Sequence, residues 1–160
     1  MTTRALILAI ALALPAQAQD QNKLGQPVPP PGTDPAVFLS ERKDVVSWKL
    51  LQQVELVKAQ DRYVPQFSAD VAALDKKQVK LQGFMLPLEM GDKQTHFVLA
   101  AMPQHCPFCV PGGAESMVEV KSKQPVKYTF EPIVLSGKLE VLKDDPRGVF
   151  YVLTDAVPSK

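Results

Sequence analysis

The sequence predicts a mainly β protein of the α+β class, a small antiparallel OB-like barrel with one or two N-terminal helices. Three observations favour this fold. Apolar and polar residues alternate with a period of two through much of the second half of the chain, as in strands that bury one face. Turn-forming stretches separate these segments, and no helical pattern lies between them, which argues against parallel βαβ units. A β-sandwich is the alternative architecture.

The first 18 residues predict a signal peptide. Arg4 precedes an apolar run over residues 5–14, Pro15 ends that run, and residues 16–18 have the small-x-small pattern of a cleavage site. The run forms about 15 Å of helix, which is too short for a hydrocarbon core of roughly 30 Å. We therefore expect export to a bacterial periplasm and no membrane insertion after cleavage.

Residues 19–36 predict a linker, and residues 37–160 predict a single β-rich domain. Five prolines fall within positions 27–35, which favours an extended polyproline II chain over packed structure. The boundary lies where the prolines end and the apolar patterning begins.

Two helices are predicted at the start of the domain. Between residues 44 and 59, apolar side chains recur at every third position, and Asp44 stands where an N-cap belongs. The stretch 54–57 also fits a strand. Ser68 is the predicted N-cap of a second, shorter helix over residues 68–75.

Six strands are predicted after these helices. They cover residues 79–84, 96–101, 117–121, 126–131, 139–142 and 149–153. Turns are expected at residues 90–92 and 144–148, where glycine, aspartate and proline concentrate.

Charge and motifs exclude several classes of function. The 18 basic and 17 acidic residues become equal in number once Arg4 is cleaved off, so the mature chain lacks the basic excess that nucleic-acid binding requires. The sequence contains no glycine-rich phosphate loop, Gly-x-Ser-x-Gly or His-Glu-x-x-His motif. We therefore expect no nucleic-acid partner and a non-enzymatic role.

The chemistry of the chain concentrates around its two cysteines. Both histidines and both cysteines lie within residues 96–109, and His105, Cys106 and Cys109 share the run His-Cys-Pro-Phe-Cys. A two-residue spacer lets both thiolates face one ion, and the intervening Pro107 restricts the backbone. Thiolate and imidazole are ligands that zinc and copper accept.

A metal site built from this run needs further ligands. His105 is the nearest, and Glu89 or His96 would complete the set or support it by hydrogen bonding. Copper(I) also accepts thioethers, and the candidate methionines are Met85, Met90 and Met102.

Two other interpretations of Cys106 and Cys109 stay open. The pair would serve thiol–disulfide exchange in an oxidising compartment. However, reactive pairs of this kind usually begin a helix, and the following Val-Pro-Gly-Gly is a poor helix start. The pair would alternatively form a structural disulfide, whose short loop contributes little entropic stabilisation.

The run Leu-Gln-Gly-Phe-Met-Leu-Pro-Leu-Glu at residues 81–89, the Phe-Val-Leu at 97–99 and the cysteine loop with Pro111 resemble the bacterial DUF3299 family. The resemblance covers about residues 48–153. It implies an exported protein with a small β-rich domain, often encoded near transport systems. Many members carry Cys-x-His followed by prolines where this chain has His-Cys-x-x-Cys and glycines, and this exchange of cysteine and histidine favours a metal site.

Together these features predict a periplasmic, non-enzymatic protein that binds zinc or copper. It would serve metal homeostasis or act as an accessory to an envelope transporter. The alternatives are a thiol–disulfide oxidoreductase that uses Cys106 and Cys109, and an interaction module of a transport complex with a structural disulfide.

Overall fold

A computed structural model of the chain describes residues 34–40, 42–103 and 112–160. Two α-helices are present in this part, Trp48–Leu51 (α1) and Ala69–Ala72 (α2). The strands are Val54–Ala59 (β1), Arg62–Phe67 (β2), Gln78–Pro87 (β3), Lys93–Ala100 (β4), Met117–Lys127 (β5), Ile133–Val141 (β6) and Tyr151–Pro158 (β7). The predicted signal peptide and most of the predicted linker lie outside the described residues. In the described part, no helix has the length and apolar content needed to cross a bilayer.

Five strands form a closed barrel in the order β3-β4-β5-β7-β6, and β1 and β2 form a separate two-stranded sheet. This confirms the predicted OB-like barrel and its N-terminal helices. The pairing differs from the prediction in one respect, because β5 and β7 run parallel while the other barrel pairs are antiparallel. A closed ring with an odd number of strands cannot alternate direction throughout, so at least one parallel pair is unavoidable.

The barrel interior is filled by apolar side chains from alternate strand positions. On β5, Val118 and Val120 are fully buried, and on β6 the same holds for Leu135 and Leu139. Further side chains with no exposed surface are Leu81, Phe97, Leu99, Tyr151 and Leu153. The period-two pattern in the sequence therefore marks the inward-facing residues.

Helix α1 covers part of the barrel wall through Trp48. The indole Nε1 of Trp48 donates a hydrogen bond of 2.7 Å to the carbonyl of Gln82 on β3. The next residue, Gly83, has no room for a side chain, since a Cβ there would lie 2.6 Å from the Ala100 carbonyl and 3.2 Å from Trp48 Cζ2. Tyr151 of β7 donates its hydroxyl to the carbonyl of Leu51 at the other end of the helix.

The prediction of a helix over residues 44–59 is wrong for most of that range. Helix α1 covers only Trp48–Leu51, and its N-cap is Ser47, whose hydroxyl accepts the Leu50 amide. Asp44 instead pairs with Arg42 and Lys80. The strand alternative for residues 54–57 is confirmed, because β1 pairs with β2 from Val54–Phe67 to Ala59–Arg62.

The other elements follow the prediction with changed boundaries. Ser68 caps α2 as expected, accepting the Val71 amide, but the helix ends at Ala72. The predicted strands at 117–121 and 126–131 are one continuous strand, β5, which ends at Lys127. Strand β6 begins at Ile133, earlier than the predicted residue 139. Strand β2 lies in a stretch where no element was predicted.

Candidate functional site

The run that contains Cys106 and Cys109 belongs to the connection between β4 and β5. The two ends of this connection are joined, since the Ala101 amide donates a hydrogen bond of 3.0 Å to the Ser116 carbonyl. Gln52, which follows α1, donates from Nε2 to Ser116 Oγ at 3.1 Å. The connection therefore leaves the barrel and returns to it at one anchored point.

Gly112 marks the return of this connection toward the barrel. Its φ of +85° is in the left-handed region, which favours glycine. A Cβ at Gly112 would lie 2.8 Å from the Ser116 Cβ and 3.9 Å from Met102 Cε. A short 3-10 turn, Ala114–Ser116, leads directly into β5. His105, Cys106 and Cys109 themselves lie outside the described residues.

An open cavity of about 500 Å³ lies beside the base of this connection. Met102, Glu115 and Ser116 line one side of it, and Lys49 and Gln52 line another. Of the candidate methionines, Met102 is thus the one next to the connection. Met85 is buried in the barrel core with 4% of its surface exposed, and Met90 is 99% exposed on the β3–β4 turn.

Glu89 holds the β3–β4 turn in shape. Its carboxylate accepts hydrogen bonds from the backbone amides of Thr95 at 3.1 Å and His96 at 3.3 Å, and from the Thr95 hydroxyl. These donors, the backbone amides first, lower the pKa of Glu89 below its ordinary value. Gln94 is fully buried, and its side-chain amide bonds both backbone groups of Glu89 and the Gly91 carbonyl.

His96 belongs to a charged cluster on the outer face of the barrel. Its Nε2 lies 2.8 Å from Glu119 Oε1, and Arg147 Nη1 lies 3.0 Å from Glu119 Oε2. Glu119 is only 7% exposed, although it points away from the barrel interior. Arg147 comes from the β6–β7 connection and also pairs with Asp145 at 3.0 Å, which lowers the pKa of that carboxyl group. The β6–β7 connection is thereby fastened onto β4 and β5.

The structure brings Glu89 and His96 together, and places both away from the anchored ends of the β4–β5 connection. His96 precedes Ala100, the last residue of β4, by four positions, which is about 13 Å along the strand. Within residues 34–40, 42–103 and 112–160, no group of three His, Cys, Asp or Glu side chains is arranged to hold a metal. The predicted ligand set of Cys106, Cys109, His105, Glu89 and His96 therefore stays a prediction.

Glu119 and Arg147 were not among the predicted site residues. The sequence feature that could have indicated Glu119 is the position of its carboxylate between Val118 and Val120, which both face the core. Alternation alone places such a residue in solvent. In the fold this carboxylate contacts His96 on β4 and Arg147, which lies 28 residues further along the chain.

Comparisons with known proteins give one family and one solved structure. The family model described as "Protein of unknown function (DUF3299)" matches residues 39–148. A crystal structure of a DUF3299 family protein from Pseudomonas aeruginosa PAO1 is 20% identical in sequence, with a TM-score of 0.45 over 71% of this chain and 93% of that chain. No curated protein matches the chain.

Proposed function

This chain belongs to the DUF3299 family, and we propose that it is a non-enzymatic metal-binding protein of the periplasm. It holds a zinc or copper ion for metal homeostasis or for an envelope transporter. The observation that carries the proposal is the run His105-Cys106-Pro107-Phe108-Cys109 within a connection whose two ends are hydrogen-bonded to each other. Two thiolates and an imidazole within five residues are a ligand combination that suits either ion.

The anchored ends support metal binding energetically. Ordering a ligand-bearing segment costs conformational entropy, and closing its ends is part of that cost. Here the Ala101–Ser116 hydrogen bond and the Gln52–Ser116 contact fix the ends in the folded barrel. With the ends of the connection already fixed, less of this cost remains for a ligand run between them, which supports binding by a short run.

The backbone conformation from Gly112 onward favours metal binding over thiol–disulfide exchange. A reactive cysteine pair usually lies at a helix N-terminus, which lowers the pKa of the first thiol. A helix that began at Cys106 would have to end before Gly112, because the φ of +85° at that residue does not continue a helix. The described residues after 111 instead form a bend, a three-residue 3-10 turn and β5.

The contacts of Glu89 and His96 argue for a site with few protein ligands. The Glu89 carboxylate already accepts hydrogen bonds from Thr95 and His96, and Nε2 of His96 is engaged by Glu119. We therefore assign ligation to Cys106, Cys109 and His105, with the fourth position of a zinc ion left to solvent or to a partner protein. An open position suits a protein that transfers its ion to a transporter.

The test is the metal content of the protein purified from the periplasm under reducing conditions, measured by inductively coupled plasma mass spectrometry. We expect about one equivalent of zinc or copper, as for a single site, and its loss in Cys106→Ser and Cys109→Ser. Glu89→Gln and His96→Gln serve as matched controls and should keep the ion. Absence of metal from the wild type, or full retention in the double cysteine variant, would overturn the proposal.

The same preparations separate the two alternatives. An oxidoreductase would reduce insulin, with activity lost in either cysteine variant, and its disulfide would have a reduction potential above about −300 mV. An interaction module with a structural disulfide would keep partner binding when reduced and would contain no metal. Either result combined with a metal-free wild type replaces the metal proposal.

A further inference from the structure

A second open cavity, separate from the cysteine-bearing connection, lies between the N-terminal segment and β3. Its volume is about 430 Å³, within the range of small-molecule sites. The lining comes from residues between 34 and 49 together with Gln82, and no residue of the β4–β5 connection contributes. The metal proposal does not use this cavity, although Asp34, Pro35 and Lys49 also line the cavity of about 500 Å³ beside the connection.

The inner wall of this cavity is apolar and fixed in place. Leu39 and Trp48 line it and are 7% and 5% exposed. The Trp48 indole is held by its hydrogen bond to the Gln82 carbonyl, and the backbone of the neighbouring Val46 donates to the Lys80 carbonyl at 2.9 Å. These contacts give a preformed apolar surface, which lowers the entropic cost of binding.

Cations dominate the rim of the cavity. Arg42 is neutralised by Asp44, with both nitrogen–oxygen distances at 2.9 Å. Lys43 and Lys49 line the cavity, and neither has an ion-pair partner among the residues the structure describes. One carboxylate, Asp34, shares the lining. Among the described residues, the rim thus presents two ammonium groups and one carboxylate next to an apolar wall.

We propose that this cavity binds a small amphipathic carboxylate, a molecule with an apolar tail and one anionic head. The tail packs against the wall that contains Leu39 and Trp48, and most of the affinity comes from the apolar surface of the ligand itself that leaves water. The head interacts with Lys43 and Lys49 through charge-assisted hydrogen bonds. A cationic head is disfavoured, because the lining contains two ammonium groups against the single carboxylate of Asp34.

Trp48 makes the proposal directly testable, because it is the only tryptophan of the chain. Its fluorescence is titrated with octanoate, and with octylammonium and octanol as the cationic and neutral equivalents. We expect a saturable change with octanoate, with a Kd on the order of 1 mM or tighter for so small a ligand. Octanol should bind at least about fivefold more weakly, and octylammonium should give no saturable change.

Lysine variants decide whether the rim charges matter. Lys43→Gln/Lys49→Gln should weaken octanoate binding about tenfold, as expected for losing two charge-assisted contacts. The matched control, Lys58→Gln/Lys143→Gln, removes two exposed lysines elsewhere and should bind as the wild type does. Thermal unfolding confirms that each variant is folded, and Cys106→Ser should leave octanoate binding unchanged. An absent or charge-independent response, or wild-type binding by the Lys43/Lys49 variant, would overturn the proposal.

Discussion

Gly83 of β3 lies at a close contact with both α1 and β4. The site of its missing Cβ is occupied by the Ala100 carbonyl at 2.6 Å, the Leu99 side chain at 2.9 Å and the Trp48 ring at 3.2 Å. The first of these is backbone and cannot rotate away. The close packing at position 83 therefore requires glycine, because even the methyl group of alanine would not fit without a shift of its neighbours.

We predict that Gly83→Ala destabilises the protein by about 1–3 kcal/mol, because the added methyl group must push β3 and β4 apart or displace Trp48. The free energy of unfolding is measured by urea denaturation. Lys138→Ala is the control, since it truncates a side chain on the outside of β6 and should change stability by less than about 0.5 kcal/mol. Equal stability of Gly83→Ala and the wild type would contradict the packing described.

At the scale of elements, the β3–β4 turn is stabilised by polar side chains rather than by an apolar cluster. The buried Gln94 amide bonds the backbone of Glu89, and the Glu89 carboxylate bonds the backbone of Thr95 and His96. The backbone groups of Glu89, Thr95 and His96, and the Gly91 carbonyl, thus find side-chain partners. The turn has a definite shape although Met90 at its tip is almost fully exposed.

This arrangement predicts a local pH dependence. Because the pKa of Glu89 is lowered, its hydrogen bonds stabilise the turn above the ordinary glutamate pKa of about 4.3 and are lost as the pH falls through the lowered value. The amide proton shifts of Thr95 and His96, followed by NMR, should titrate with a midpoint below the ordinary glutamate pKa. Glu89→Gln should abolish this titration, and Glu131→Gln should not affect it. A midpoint at the ordinary value would refute the assignment.

Strands were predicted correctly where the alternation of apolar and polar residues in the sequence coincides with the alternation of buried and exposed side chains. Alternation located β3, β4 and the core of β5, since their inward residues are the apolar ones. It gave β1 only as an alternative over residues 54–57 and did not locate β2. The connection between these two strands uses Gln60, with a φ of +55°, in place of glycine or asparagine. Without a recognisable hairpin turn, the apolar spacing around Trp48 favoured one long helix.

At the scale of the whole molecule, Tyr151 of the barrel contacts both α1 and β2. This side chain is fully buried, and its hydroxyl donates to the Leu51 carbonyl, which ends α1. Phe67 of β2 packs against the Tyr151 ring with centroids 5.6 Å apart. Burial, with a smaller contribution from Glu115, raises the pKa of Tyr151.

We predict that Tyr151→Phe lowers the free energy of unfolding by about 1–3 kcal/mol at neutral pH, because the buried Leu51 carbonyl loses its donor. The raised pKa means that the contribution of the neutral phenol is complete below pH 10, the ordinary tyrosine value, and declines as the pH rises above it. Stability should therefore fall less steeply above pH 10 in Tyr151→Phe. Tyr63 is exposed, so Tyr63→Phe should have the same free energy of unfolding in urea as the wild type, both at neutral pH and above pH 10.

The overall barrel was predictable from the sequence, whereas the charged cluster was not. Strand number and the absence of intervening helices restrict the fold to a few closed β architectures. Glu119, His96 and Arg147 come from three separate elements, and their meeting depends on how the β6–β7 connection folds back. The ligand run around Cys106 was visible because its members are adjacent in sequence. Residues that could complete a site with this run come from other parts of the fold, and their proximity cannot be read from adjacency in the sequence.

The parallel β5–β7 pair closes the barrel, so the barrel is complete only after β7 has joined it. Strands β3, β4 and β5 follow one another as a meander, but the ring closes only when β7, which ends two residues before the last residue, enters between β5 and β6. Until then β5 and β6 each present an unpaired edge, and such edges promote association with other chains. A truncation that removes β7 should thus yield an aggregating product rather than a smaller soluble domain, because the edges of β5 and β6 would both stay unpaired.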